Sequence, residues 1–157
     1  MEEQYFPSTG RLLGIDFGTV RVGIAICDEG RSIASPYEVY NRRNERLDQE
    51  YFAKLVDETG AVGFVVGLPL HMSGDESQKS AEAREYGIWL SNITSLPVDW
   101  IDERYSTAMA REMLNASNLS GKQRKARLDK IAAQAILMSY LESNRDNAVD
   151  DPRSIDD

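Results

Sequence analysis

The stretch Leu12–Asp28, LLGIDFGTVRVGIAICD, decides the fold. Leu12 to Phe17 reads as a strand, and the alternation of Val22, Ile24 and Ile26 resumes the pattern after a Gly-Thr turn, so the two halves predict a hairpin. Asp16 stands in this run beside Leu12, Leu13 and Ile15, where a carboxylate is costly to bury unless it is paired or binds a cation. It is therefore a candidate site residue, near the carboxyl end of a strand where open sheets of this class collect ligands. The structural alternative is an aspartate satisfied by the turn amides of DFGT.

Outward from the hairpin, a third strand is expected around Ser35 to Tyr40, entered through Pro36. Residues 44–60, NERLDQEYFAKLVDETG, place Leu47, Tyr51, Phe52, Leu55 and Val56 at helical spacing, and Gly60 supplies the stop. The valine-rich run AVGFVVGLP, 61–69, carries the pattern of a strand covered on both faces. A helix from about Glu76 to Ile93 and a strand at Val98–Asp102 follow. Ser106 or Thr107 can cap a further helix with Met109, Ala110, Met113 and Leu114 on its apolar side, and the last helix runs roughly from Lys125 to Glu142.

This order predicts an α/β fold: a mixed five-stranded sheet, made of a three-strand antiparallel meander and two parallel strands, flanked by helices on both faces. The expected organisation is an N-terminal extension over 1–10, one domain over 11–142, and an acidic tail over 143–157 that is poor in apolar side chains and expected to be disordered.

Composition narrows the function. Of 157 residues, 41% are hydrophobic and 8% aromatic, and no apolar run approaches the roughly 18 residues of a membrane span. The start, MEEQYFPSTG, lacks the basic flank of a secretory signal. Cys27 is the sole cysteine, a small core residue by its position, which excludes an internal disulfide and suits the cytoplasm. One histidine, His71, argues against a His/Cys zinc site, and neither a Ser-His-Asp set nor a Walker loop is present. The net charge of −8 is concentrated at the termini, since residues 142–157 hold six acids and two bases. The interior is nearer neutrality and contains GKQRKARLDK, where Lys122, Arg124, Lys125 and Arg127 form a basic run that is either a phosphate-binding patch or a solvated helix start.

Two further acids join Asp16. Asp102 ends the strand VDWID and Glu103 follows it, and either one can reach the same crevice or pair with Arg104. Asp129 falls between Ala132, Ala133, Ile136 and Tyr140 on a helical wheel, opposite Arg127, Lys130 and Gln134, unless it serves as a helix-dipole acid. An oxygen-only cluster of carboxylates is what Mg2+ or Mn2+ prefers, and ions so held support hydrolysis of phosphodiesters.

With LGIDFGTVRVGIAICD, SIASP, VVGLPLHMSGDES, DERYST and LDKIAAQAILMSYL in this order, the chain resembles the YqgF (RuvX-type) family of Holliday junction resolvase and pre-16S rRNA nuclease proteins over nearly all of residues 11–142. The resemblance implies a ribonuclease H-like fold, catalytic and metal-holding roles for Asp16, Glu103 and Asp129, and Glu103 rather than Asp102 as the acid of DERYST. It also implies a nuclease that processes the 5′ end of pre-16S ribosomal RNA, with four-way DNA junctions as the alternative substrate; for the oligomeric state both a monomer and a homodimer stay open. Two positions depart from the family pattern: His71 stands where asparagine is expected after GLPL, and Val20 where lysine commonly follows GT. Nucleic-acid contacts are expected from Arg21, Arg104, Lys122, Arg124, Lys125 and Arg127, supplemented by Arg42, Arg43 and Arg46, with His71 on a candidate site loop. Rival readings are an actin-like ATPase, suggested by GIDFGT but needing a second domain, and an RNA-binding assembly factor without turnover.

Overall fold

The computed structural model describes residues 5–105 and 121–149; the side chains of Tyr105, 121–127, Asp129 and 145–149 fall outside that description. The hairpin comprises β1 (Leu12–Asp16) and β2 (Arg21–Cys27), paired antiparallel with Asp16 opposite Gly23. β3 (Ala34–Asn41) pairs antiparallel with β2, with a register shift between Ile24 and Ala25 where Pro36 joins the edge strand. β4 (Gly63–Leu68) lies parallel to β1, and β5 (Val98–Asp102) parallel to β4. The sheet order is β3-β2-β1-β4-β5, the expected mixed five-stranded sheet of a ribonuclease H-like fold.

Local chemistry fixes the helix ends. Asn44 caps α1 (Glu45–Thr59) by accepting from the Leu47 amide, and Gly60 ends it in the left-handed conformation at φ 68°. α2 (Gln78–Thr94) begins two residues later than the spacing predicts, because Ser77 and Ser80 form a capping box before it. α3 (Gly121–Val149) is longer at both ends than the expected Lys125–Glu142, and continues through Val149 into the stretch expected to be a disordered tail. The helix expected from Ser106 or Thr107 onward lies outside the described residues.

Two cores sandwich the sheet. Leu13, Ile15, Val22, Ile24, Phe64 and Val66 meet Phe52 and Leu55 of α1 and Tyr86 and Leu90 of α2 on one face. Leu12, Ala25, Cys27 and Val65 meet Ala133, Ile136, Leu137 and Tyr140 of α3 on the other. Cys27 is buried and accepts from the Leu12 amide, a core residue as expected. Gln134, which helical spacing puts on the solvated arc, is half-buried and donates to the Ala34 carbonyl, tying α3 to the edge strand.

α3 rests on strand backbone. A Cβ at Gly14 would lie 2.8 Å from the Leu137 Cβ and 3.0 Å from the Ala133 carbonyl oxygen. Tyr140, further along the helix, donates to Asp99 near the start of β5 at 2.7 Å, so the N-terminal part of α3 points toward the carboxyl ends of the strands. Among the described residues, no helix is long and apolar enough to cross a membrane.

Candidate active site

Asp16 ends β1, and Glu103 opens a short 3-10 turn (Glu103–Tyr105) immediately after β5. Both line one cavity of about 240 Å³, together with Asp102, Ile101 and the α3 residues Ala132, Ala135, Ile136 and Ser139. β4 lies between their strands and contributes a gap: a Cβ on Gly67 would stand 2.6 Å from Glu103 Oε1 and 2.6 Å from Ile136 Cδ1. The absence of a side chain at 67 lets the Glu103 carboxylate lie over β4. The sequence signal for it was an isolated glycine inside a strand pattern, which marks a close approach.

The electrostatics separate the neighbouring acids. Burial, then the charge of Asp16, then that of Asp102 push the Glu103 carboxyl up to about 7. Asp102 is held below the usual carboxylate range by Arg104. The Arg104 guanidinium grips both Asp102 oxygens, Nη2 to Oδ2 at 2.6 Å and Nε to Oδ1 at 3.1 Å, and its Nη1 donates to the Met72 carbonyl at 2.9 Å. Asp102 and Arg104 are thus a strut between the end of β5 and the 69–77 loop, leaving Glu103 to face the cavity.

Asp129 belongs to α3, three residues before Ala132 and seven before Ile136 in sequence. Its side chain is outside the described residues, as are those of Lys122, Arg124, Lys125 and Arg127 in the first turns of α3. Among the described residues no three His, Cys, Asp or Glu side chains are grouped to hold an ion. The donors that do converge are all oxygens, and the buried hydroxyl of Ser139 at the cavity wall lacks a protein partner, a suitable neighbour for a bound water. That set fits a hard divalent cation and its waters.

The remaining candidates lie outside the cavity. His71 is exposed in a loop closed by its own backbone, its amide bonded to the Asp75 carbonyl and its carbonyl to the Gly74 amide. Arg21 begins β2, half-buried. Arg42 is spent on the turn after β1, a use with no local signature in sequence.

A sheet of this order, with paired carboxylates at the ends of β1 and β5 beneath a crossing helix, defines a ribonuclease H-like nuclease. The RuvX family, described as Holliday junction resolvase, matches residues 10–143, and the chain belongs to it. A Rhodopirellula baltica protein that bears the name "Putative pre-16S rRNA nuclease" is 43% identical over 143 residues, covering 91% of this chain and 83% of that one. A protein of the same name from Neisseria gonorrhoeae is 38% identical over 133 residues, covering 85% and 88%. Among solved structures, RuvC of Thermus thermophilus aligns at TM-score 0.50 and 13% identity over 87% of this chain and 96% of that one. The Fowlpox virus resolvase bound to Holliday junction DNA aligns at TM-score 0.50 and 12% identity, covering 85% and 98%. These two structures share the fold.

Proposed function

We propose that this chain cleaves phosphodiester bonds at the 5′ end of pre-16S ribosomal RNA, with Asp16, Glu103 and Asp129 as the catalytic acids holding Mg2+ or Mn2+. The observation that carries the proposal is the meeting of Asp16 with the buried Glu103 carboxyl in one cavity, where burial and the charges of Asp16 and Asp102 push Glu103 up to about 7, a repulsion that a bound cation relieves. When bound, the ion supplies an activated water and stabilises the leaving oxygen. Asp16 and Glu103 orient that centre from two strands, Gly67 leaves room for the Glu103 carboxylate, and α3 shields the cavity floor with Ala132, Ala135 and Ile136.

Substrate binding follows the charge. Lys122, Arg124, Lys125 and Arg127 precede Asp129 on α3 and, with Arg21, supply phosphate contacts that do not depend on sequence. Arg104 shapes the rim through Asp102 and Met72 instead of offering its charge to the strand. The names borne by the sequence relatives favour RNA; the family description keeps a four-way DNA junction as the second substrate.

The test is cleavage of a labelled ribosomal RNA precursor and a four-way DNA junction, in Mg2+, Mn2+ or EDTA, by wild type and Asp16→Asn. RNA cleavage lost in EDTA and in the variant is the expected result. Junction cleavage with the same dependence moves the function to recombination, and binding without cleavage of either leaves an assembly factor.

A further inference from the structure

Arg42 follows β3 on the sheet face that carries α1 and α2, and it takes three successive carbonyls of the turn between β1 and β2. Its backbone amide donates to Val20 at 2.9 Å, and its Nη1 to Gly18 at 3.2 Å and to Thr19 at 3.3 Å. The guanidinium carbon lies 5.3 Å from the ring centre of Phe17 and 5.1 Å from that of Tyr86. The turn is tight, since a Cβ added at Gly18 would run into the Arg21 carbonyl oxygen.

Every part of this turn is joined to Asp16, which directly precedes Phe17. Only a planar guanidinium can share one Nη between two carbonyls while lying against two aromatic faces; an ammonium offers a point charge without the plane. We infer that Arg42 is a positioning residue for Asp16: it locks the 17–20 turn and thereby sets the direction in which the Asp16 carboxylate leaves β1. A basic residue near the site of a nuclease suggests a phosphate contact, and the two roles make opposite predictions. The inference rests on Asp16 being catalytic.

The experiment measures kcat, KM and the salt dependence of RNA binding for wild type, Asp16→Asn, Arg42→Ala and Arg42→Lys, with Mn2+ binding followed by calorimetry. Positioning predicts that both Arg42 variants lose kcat on the order of 100-fold, the scale of an ångström-sized misplacement, while KM and the salt slope hold. Mn2+ affinity falls in both, and millimolar guanidinium restores part of the Arg42→Ala activity but none of the Arg42→Lys activity. A phosphate contact predicts raised KM, a shallower salt slope and a near-normal Arg42→Lys, any of which overturns the inference. Should Arg42→Ala fail to fold, Arg42→Lys decides between the two. Wild type that neither cleaves nor binds Mn2+ sinks the reading of the site and this inference with it, whereas an active wild type matched by Arg42→Lys sinks the inference alone.

Discussion

Adding a single methyl group at Gly67 tests whether the site is shaped by that strand position. The new Cβ would stand 2.6 Å from Glu103 Oε1, 2.6 Å from Ile136 Cδ1 and 2.9 Å from Ile136 Cγ1. Ordinary carbon contacts begin near 3.5 Å, so the carboxylate and the isoleucine tip must each retreat by roughly 1 Å. Both are ends of flexible side chains, which limits the loss of stability to about 1–3 kcal/mol for an overpacked position. The carboxylate has no such latitude in function: a misplacement of this size at a reacting centre costs about 100-fold in rate. Gly67→Ala is therefore expected to fold, to melt a few degrees below wild type, and to lose cleavage and Mn2+ affinity together.

The control is Gly60→Ala, at a left-handed φ of 68° with nothing within 4 Å of the added Cβ. It is destabilised through backbone strain alone, by about 1 kcal/mol, far from the cavity, and should cleave normally. Thermal melting, Mn2+ calorimetry and single-turnover cleavage on both variants separate the two effects. A folded Gly67→Ala with wild-type cleavage and Mn2+ affinity would refute the assignment of Glu103 to the site.

Three further outcomes are expected. Glu103 has a folded pKa raised from 4.5 to about 7, so its contribution to stability is full below about 4.5 and lost as pH rises through 7. In EDTA at pH 8, Glu103→Gln should be the more stable protein by up to roughly 3 kcal/mol, an advantage that vanishes at pH 4.5 and shrinks on adding Mg2+; melting curves at the two pH values check it. Replacing Lys122, Arg124, Lys125 and Arg127 by Gln should flatten the log–log salt dependence of single-stranded RNA binding by about 3, measured by titration at several salt concentrations. Gly14→Ala should cost more stability than Gly67→Ala in denaturant titration, because its Cβ meets the Ala133 carbonyl and the Leu137 Cβ, which cannot swing away.

The sheet was legible because its strands carry continuous or alternating apolar runs, and Val98–Asp102 is found where the pattern puts it. The end of α3 was not legible: Ser143–Val149 has almost no apolar residue to mark a buried face, yet the backbone stays helical. At the site, Asp16 announced itself by being wrong for its surroundings. Choosing between Asp102 and Glu103 from local pattern was impossible, because the deciding partner of Arg104 besides Asp102 is the Met72 carbonyl, 32 residues away in sequence. Arg42 likewise reads as surplus charge until its carbonyl acceptors, 23 and 24 residues upstream, are seen.

Strand order also explains why the two acids need open space above the middle strand. β1 and β5 are separated by β4, so their ends stand about 10 Å apart by ordinary strand spacing, too far for two carboxylates to meet without reaching over the middle strand. Gly67 opens that route for Glu103, but the space above β4 still needs a lid, and α3 can come close enough only because Gly14 and Gly67 both present bare backbone to it. A helix seated that low on two strands, with its N-terminal part toward their carboxyl ends, brings Ala132 and Ile136 to the cavity that both acids line. The two strand glycines thus do as much to define the candidate centre as the carboxylates themselves: one set brings the charge, the other removes the bulk that would keep it apart.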